Sequence, residues 1–225
     1  MLEPRIEVTK DGSHTLIHAK YKAHYHSIAG AVEESNFIYL NTGFHYILNT
    51  FQMNEISVLE MGLGTALNAF NTLLAAEKLQ IKTNYVGIEK YPLSQDIINQ
   101  LNYVEVLQAK PFREQFDEIH GLEAGVFRKI TPCFNFKKQH IDFFKIEFYN
   151  QFHVIYFDAF SPNEQPDLWT ASLFSLLYKA LKPKGILVTY CSKGNAKRAL
   201  REAGFIVKRL PGPPSKRHIL RATKA

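Results

Sequence analysis

The chain has 225 residues, 46% of them hydrophobic, which suits one domain of ordinary size with a sizeable core. No stretch approaches the roughly 20 apolar residues that span a bilayer, and the opening residues carry no apolar signal core, so a soluble, cytoplasmic protein with no membrane contact is expected. Two cysteines, Cys133 and Cys191, match no metal-ligand spacing and are expected to be buried thiols, with no bound metal. The net charge of +6 is unevenly spread: from Lys182 onward there are twelve Lys and Arg against the single acid Glu202, whereas residues 1–181 hold fifteen against twenty.

Residues 6–18 alternate around Asp11-Gly12, a hairpin-turn dipeptide. Residues 21–41, rich in His and Tyr, are expected to form a cap beside a ligand cleft. Residues 1–50 are thus set apart, as hairpin and cap, from a domain at 51–225 where strand-like and helix-like runs alternate. The run at 56–61 is a short apolar strand stopped by glycine. Residues 66–79 have helical spacing, with Leu67, Phe70, Leu73 and Leu74 on one face. A second strand follows at 85–88, then helices at 92–101 and 112–119. Residues 127–141 predict one or two strands, and 154–157 a fully apolar one. A helix at 168–181 closes on Lys182-Pro183-Lys184-Gly185. Then come a buried strand at 186–190, a helix at 195–203, and strands at 205–210 and 218–222. The short gap between these last two makes them an antiparallel hairpin.

Such alternation gives an α/β fold with a mostly parallel twisted sheet covered by helices on both faces. An antiparallel hairpin at its C-terminal edge is the signature of Rossmann-like class I methyltransferases.

The first strand runs into Glu60-Met61-Gly62-Leu63-Gly64-Thr65-Ala66-Leu67-Asn68. Glycines at this place permit a tight turn and close approach of a ligand to the backbone. A dinucleotide fingerprint requires a small residue three after the second glycine, and Leu67 stands there, against a nicotinamide cofactor. The acid-x-G-x-G-x-G loop of an S-adenosylmethionine site fits better, with Glu60, Gly62 and Gly64 in place. Ala66 stands where the third glycine would be, and alanine does not adopt positive φ cheaply. Glu89, followed by Lys90, ends the second strand, where a carboxylate can accept both ribose hydroxyls. Asp142 and Phe143 precede the next strand, at the adenine position, although Asp142 could equally cap a helix.

Asp158-Ala159-Phe160-Ser161-Pro162 leaves the fourth parallel strand at its carboxyl end, where chemistry gathers in open α/β sheets. A carboxylate at Asp158 can hold an incoming ammonium and take or relay its proton. The lone Trp169 is expected to anchor the core. The basic C-terminal segment suits a polyanion, because each Lys or Arg contact to a phosphate releases counterions.

The run D-A-F-S-P-x-x-x-P-x-L-W from Asp158 resembles the methyltransferase half of the bifunctional tRNA 5-methylaminomethyl-2-thiouridine biosynthesis proteins. Residues 62–68 are similar to that family's G-F-G-T-G-L-N, residues 25–35 to its N-terminal segment, and residues 212–217 to its basic loop before the last strand. The resemblance implies a free-standing relative without the flavin-dependent half. It implies methyl transfer from S-adenosylmethionine to the exocyclic amine of 5-aminomethyl-(2-thio)uridine at the tRNA wobble position. Asp158 would then be catalytic, and Glu60, Gly62, Gly64, Asn68, Glu89, Lys90, Asp142, Phe143 and Asp158 would bind the cofactor. Tyr25, His26, Glu34 and Phe160 would surround the target base, and Lys216 and Arg217 would meet phosphates. Two alternatives stay open: an aminopropyltransferase of the same fold, disfavoured by its cationic substrate, and a non-catalytic RNA-binding relative.

Overall fold

The computed structural model describes residues 3–225. An eight-stranded sheet has the order β5-β6-β4-β3-β7-β8-β10-β9. Its strands are β3 (Glu55–Met61), β4 (Lys82–Ile88), β5 (Arg128–Thr131), β6 (Phe134–Gln139), β7 (Phe152–Phe157), β8 (Leu181–Thr189), β9 (Ile206–Pro211) and β10 (His218–Thr223). The five inner strands from β6 to β8 are parallel, whereas β5, β10 and β9 pair antiparallel with their neighbours. The expected C-terminal hairpin is β9–β10, inserted so that β10 lies against β8. A separate hairpin, β1 (Arg5–Val8) with β2 (His14–Ile17), turns at the expected dipeptide.

Alternate residues of the central strands feed opposite cores. Val58, Tyr85, Val154, Tyr156 and Val188 belong to one apolar cluster with the helix Leu67–Leu79. Leu59, Val86, Ile155, Phe157 and Leu187 belong to the other, with the helices Ala171–Ala180 and Gly194–Glu202. A third cluster ties Leu16 of the hairpin to Phe70, Ile97, Tyr103 and Phe116.

The second half of the segment expected as a cap is helical. Residues 31–51 form one continuous helical run, Ala31–Glu34, Ser35–His45 and Tyr46–Phe51, whose middle part is a π-helix. Its buried residues Ala31, Glu34, Ser35, Ile38 and Tyr39 follow α-helical spacing, but the next large side chain inward is Phe44, five residues on, then Ile47 and Leu48. The wider π turn supplies that step of five and hides the helical period from a scan of the sequence. Gly43 lets this helix press on the sheet: a Cβ there would stand 3.0 Å from the Tyr156 ring and 3.2 Å from Val188.

Two other expected helices are shorter. The one expected over 92–101 is a single turn, Gln95–Ile98, capped by the Ser94 hydroxyl, and the one expected over 168–181 begins at Ala171 after a 3-10 turn, Pro166–Leu168. Leu181 already belongs to β8. Both thiols are free and buried. Among the described residues no helix is long and apolar enough to cross a membrane, and no group of three or more His, Cys, Asp or Glu is placed to hold a metal ion.

His120 ends the helix Arg113–Gly121, against the Phe116 ring at 4.7 Å between centroids. Burial, aided by the Lys138 ammonium, pushes its pKa down to about 3. The unfolded chain protonates this imidazole near the ordinary value of about 6.5, so between those limits the unfolded state binds more protons. Stability is therefore whole above about pH 6.5 and falls as the pH drops, by up to ~1.4 kcal/mol per unit from this group. Thermal melts between pH 7.5 and 4.5 should show the decline, and His120→Gln should flatten it. An acid slope identical in the variant would clear His120 of the effect.

Candidate active site

Strand order reverses direction of growth at β3: its successor β4 lies on one side and β7 on the other. The carboxyl ends of β3, β4 and β7 therefore open a crevice at this switch point, the usual ligand site of such sheets. The loop after β3 is stitched across it. Gly62 N and Leu63 N donate to Ile88 O at 3.0 and 3.1 Å, and Asp158 N donates to Met61 O at 3.0 Å. Gly62 adopts φ +94°, and a Cβ there would come within 2.5 Å of the Asp158 carbonyl oxygen. Ala66 sits at φ +56°, the left-handed conformation that glycine takes without strain.

Glu89 ends β4 beside this loop. Its carboxylate accepts Gly64 N at 3.0 Å and Tyr91 N at 2.9 Å, one on each oxygen. Burial raises its pKa, against these backbone donors. A carboxylate has about four acceptor positions, so both oxygens retain capacity for ligand hydroxyls.

Glu60 lies wholly inside. Tyr85 OH donates to its Oε2 and Asn68 Nδ2 to its Oε1, both at 2.8 Å. Burial first, then the charges of Asp158 and Glu89, push its carboxyl well up. The same Asn68 Nδ2 donates to Asp158 Oδ2 at 2.8 Å. Ser35 Oγ donates to Asn68 Oδ1 at 2.6 Å, and Asn71 Nδ2 to Ser35 Oγ at 2.8 Å. Glu60 thus acts on the cleft through Asn68 and does not line it.

Burial also raises the pKa of Asp158, helped by the charge of Glu34, while His26, Tyr39 and Asn68 favour its ionised form. The Tyr39 hydroxyl beside it is buried and makes no hydrogen bond of normal geometry. The Tyr39 hydroxyl, a donor, and the Asp158 carboxylate, an acceptor, thus stand together at the switch point and suit a polar ligand.

Asp142 and Lys90 form an exposed ion pair at 2.8 Å, and Asp142 Oδ1 also caps the turn Phe143–Lys145 by accepting Phe144 N at 2.9 Å. Phe143 turns into the core toward Phe157, while Phe144 is the exposed ring. The expected stacking role at Phe143 is not supported by this orientation.

Tyr25, His26, Glu34, Phe160 and Lys216 line one cavity of about 170 Å³, which they share with Tyr190. His18, Tyr21 and Tyr25 surround the Phe160 ring at 5.1–5.4 Å between centroids. Trp169 is buried and its Nε1 donates to Phe160 O at 2.8 Å, while Tyr190 OH donates to Ala159 O at 2.9 Å, so both fix the loop after β7. His26 Nε2 shares a hydrogen bond with Thr65 Oγ1 at 2.9 Å. Arg217 is exposed and does not line the cavity. Lys216 differs from Arg217 in direction: its side chain turns inward and Nζ pairs with Glu34 Oε1 at 3.0 Å, because the buried carboxylate offers a partner the surface does not. Sequence reasoning missed Tyr39, Ser35, Tyr85 and Tyr190. Only Tyr190, at the carboxyl end of an apolar strand, carried a positional signal.

Residues 136–225 match a family described as S-adenosyl-L-methionine-dependent methyltransferase. The bifunctional tRNA 5-methylaminomethyl-2-thiouridine biosynthesis protein MnmC of Campylobacter fetus is 29% identical over 203 residues, covering 83% of this chain and 33% of that protein. Its counterpart in Burkholderia pseudomallei is 27% identical over 228 residues, covering 92% and 34%. Among solved structures, MnmC2 from Aquifex aeolicus superposes with a TM-score of 0.80 at 24% identity, over all of this chain and 71% of that one. The fold is that of MnmC2 and has class I methyltransferase architecture. The chain resembles the methyltransferase part of the MnmC proteins and spans about a third of the length of these curated relatives. Spermidine synthase from Thermotoga maritima, at TM-score 0.56 and 16% identity over all of this chain and 71% of that one, shares the fold more distantly.

Two outcomes follow from the loop geometry. Glu89→Ala removes two acceptor oxygens, and S-adenosylmethionine binding by calorimetry should weaken about 10-fold or more, as for lost hydrogen bonds to a charged group; unchanged affinity would move the ribose elsewhere. Ala66→Val puts a β-branched side chain at positive φ in a fully buried place and should cost about 2 kcal/mol or more, whereas Ala66→Gly, trading strain for a lost methyl, should stay within about 1 kcal/mol in urea unfolding.

Proposed function

We propose that this protein methylates the exocyclic amine of 5-aminomethyl-(2-thio)uridine at the wobble position of tRNA, giving the 5-methylaminomethyl form. The observation that carries this reading is the position of Asp158. Its carboxylate accepts Asn68 Nδ2 from the helix after the glycine loop, and it immediately precedes Ala159 and Phe160, which line the cavity with Tyr25 and Glu34. In this reading residues 1–50 form the hairpin and cap over a methyltransferase domain at 51–225. Gly62, Gly64, Glu89 and Asp158 hold the cofactor, with Asn68 and Glu60 supporting them and Lys90 and Asp142 at the adenine rim.

Bound S-adenosylmethionine supplies an electrophilic methyl group with a neutral thioether as leaving group. The protein's part is chiefly alignment, which converts an encounter into a near in-line approach. Asp158 orients the substrate ammonium and accepts or relays the proton it must lose before nitrogen attacks. Its raised pKa makes it a better base than an exposed carboxylate. Tyr25 and Phe160 offer faces for an extruded pyrimidine. Tyr39 is a further donor toward whatever Asp158 holds.

The RNA is held by the cationic C-terminal part. Lys193, Arg198, Arg201, Lys208, Arg209 and Arg217 are all exposed there. Exposed cations of this kind add phosphate contacts without sequence readout.

Asp158→Asn keeps the shape and, by rotation of its amide, the hydrogen bond from Asn68. Single-turnover methylation of aminomethyl-bearing tRNA at saturating cofactor should slow by roughly 10²-fold or more, the scale of a positioned acid–base group. Thermal stability should hold, and higher pH should partly restore the rate by supplying free amine. Turnover within a few-fold of the parent would take Asp158 out of the mechanism.

A further inference from the structure

Lys216 lies in the turn between β9 and β10, its backbone fixed by Lys216 N donating to Pro213 O at 2.8 Å. Its neighbours Ser215 and Arg217 face solvent. Its own side chain runs back into the cavity. There Nζ stands 3.0 Å from Glu34 Oε1 and 4.8 Å from the centroid of the Tyr190 ring, over its face. Glu34 is almost wholly buried, and its other oxygen accepts Ser27 N at 2.9 Å. Carboxylate and ring together form a box suited to one primary ammonium. The end of a lysine side chain is a methylene bearing an ammonium, which is also the chemical group of the substrate in the reading above.

We propose that Glu34 and the Tyr190 ring are the recognition subsite for the substrate's aminomethyl ammonium, and that Lys216 fills this subsite until RNA binds, then exchanges Glu34 for an RNA phosphate. The inference rests on the methyl-transfer reading. A buried Glu34 does not tolerate losing its cation outright. Exchange of one ammonium for another keeps the charge balanced, and the phosphate gives Lys216 a new partner. A small free amine brings no phosphate and must compete with a tethered lysine whose effective concentration is of millimolar order or higher. Selectivity for an amine carried on RNA follows from this competition, with no added contact to the base.

The test compares the wild type, Lys216→Met, Glu34→Gln and the double variant on two substrates, tRNA bearing 5-aminomethyluridine and the free nucleoside 5-aminomethyluridine. Methyl transfer is read by mass spectrometry. Lys216→Met should raise kcat/KM on the nucleoside by about 10-fold or more, as the tethered competitor is removed, while KM for the tRNA rises. Adding Glu34→Gln should abolish the gain. If Lys216→Met leaves the nucleoside rate unchanged or lower and weakens only the tRNA, Lys216 is a plain phosphate contact and the proposal falls. A wild type that transfers no methyl to the tRNA would instead overturn the reading on which it rests. A second measurement avoids reliance on the variant's folding: the 15N signal of the Lys216 ammonium in the wild type, with S-adenosylhomocysteine present. It should leave its Glu34-paired position when the aminomethyl-bearing anticodon stem-loop is added, and a signal that stays put in the RNA complex overturns the exchange.

Discussion

The carboxamide of Asn68 donates both of its Nδ2 hydrogens to carboxylates, one to Glu60 and one to Asp158. These two hydrogen bonds hold the two carboxyl groups apart at a fixed distance. The orientation of the amide is not free. Ser35 Oγ donates to its other end and is itself held by Asn71. Ser35 is in reach only because the helical run at 31–51 lies close on the sheet, over the side of Gly43. The carboxylate at the carboxyl end of β7 is thus set by packing two layers away.

The charges of the protein are sorted by depth. Glu34, Glu60, Glu89 and Asp158 converge on the crevice and the cavity beside it, with Lys216 and His26 as the basic groups facing them. The exposed cations of the C-terminal helix and hairpin lie outside. In the proposed function this suits both ligands: a sulfonium and an ammonium enter an acidic interior, while phosphates meet a basic exterior. Burial raises the carboxyl groups of Glu60, Glu89 and Asp158, so the negative field of the crevice depends on the donors around them. Backbone N–H groups serve Glu89, and Asn68 and Tyr85 serve Glu60.

The aromatic ring of the cavity has a structural logic of its own. His18, Tyr21 and Tyr25 come from the segment after β2, and Phe160 from the loop after β7. Tyr25 also packs over Gly64, where a Cβ would stand 3.2 Å from its ring. One tyrosine therefore touches the glycine loop on one side and the cavity on the other, which joins the two.

The sequence by itself determined the strands, their order of appearance, and the residues at their carboxyl ends. A short apolar run, a glycine and an acid are local signals, since each follows from what the backbone can do at that place. The positions of Gly62, Gly64, Glu89 and Asp158 after the carboxyl ends of their strands were legible for that reason, and so was the closing hairpin. The direction in which a side chain points was decided only by the tertiary structure. Glu60 was read as lining the cofactor site and is enclosed by Asn68 and Tyr85. Phe143 and Phe144 are adjacent and similar, and the turn capped by Asp142 decides which faces inward. Lys216 and Arg217 read as one basic pair, yet the buried acid at Glu34, nearly two hundred residues earlier, draws only the first. The helix at 31–51 escaped notice because its π turn breaks the period on which recognition depends. Strand ends are written in neighbouring residues, whereas burial and partnership depend on groups that meet only once the layers have packed.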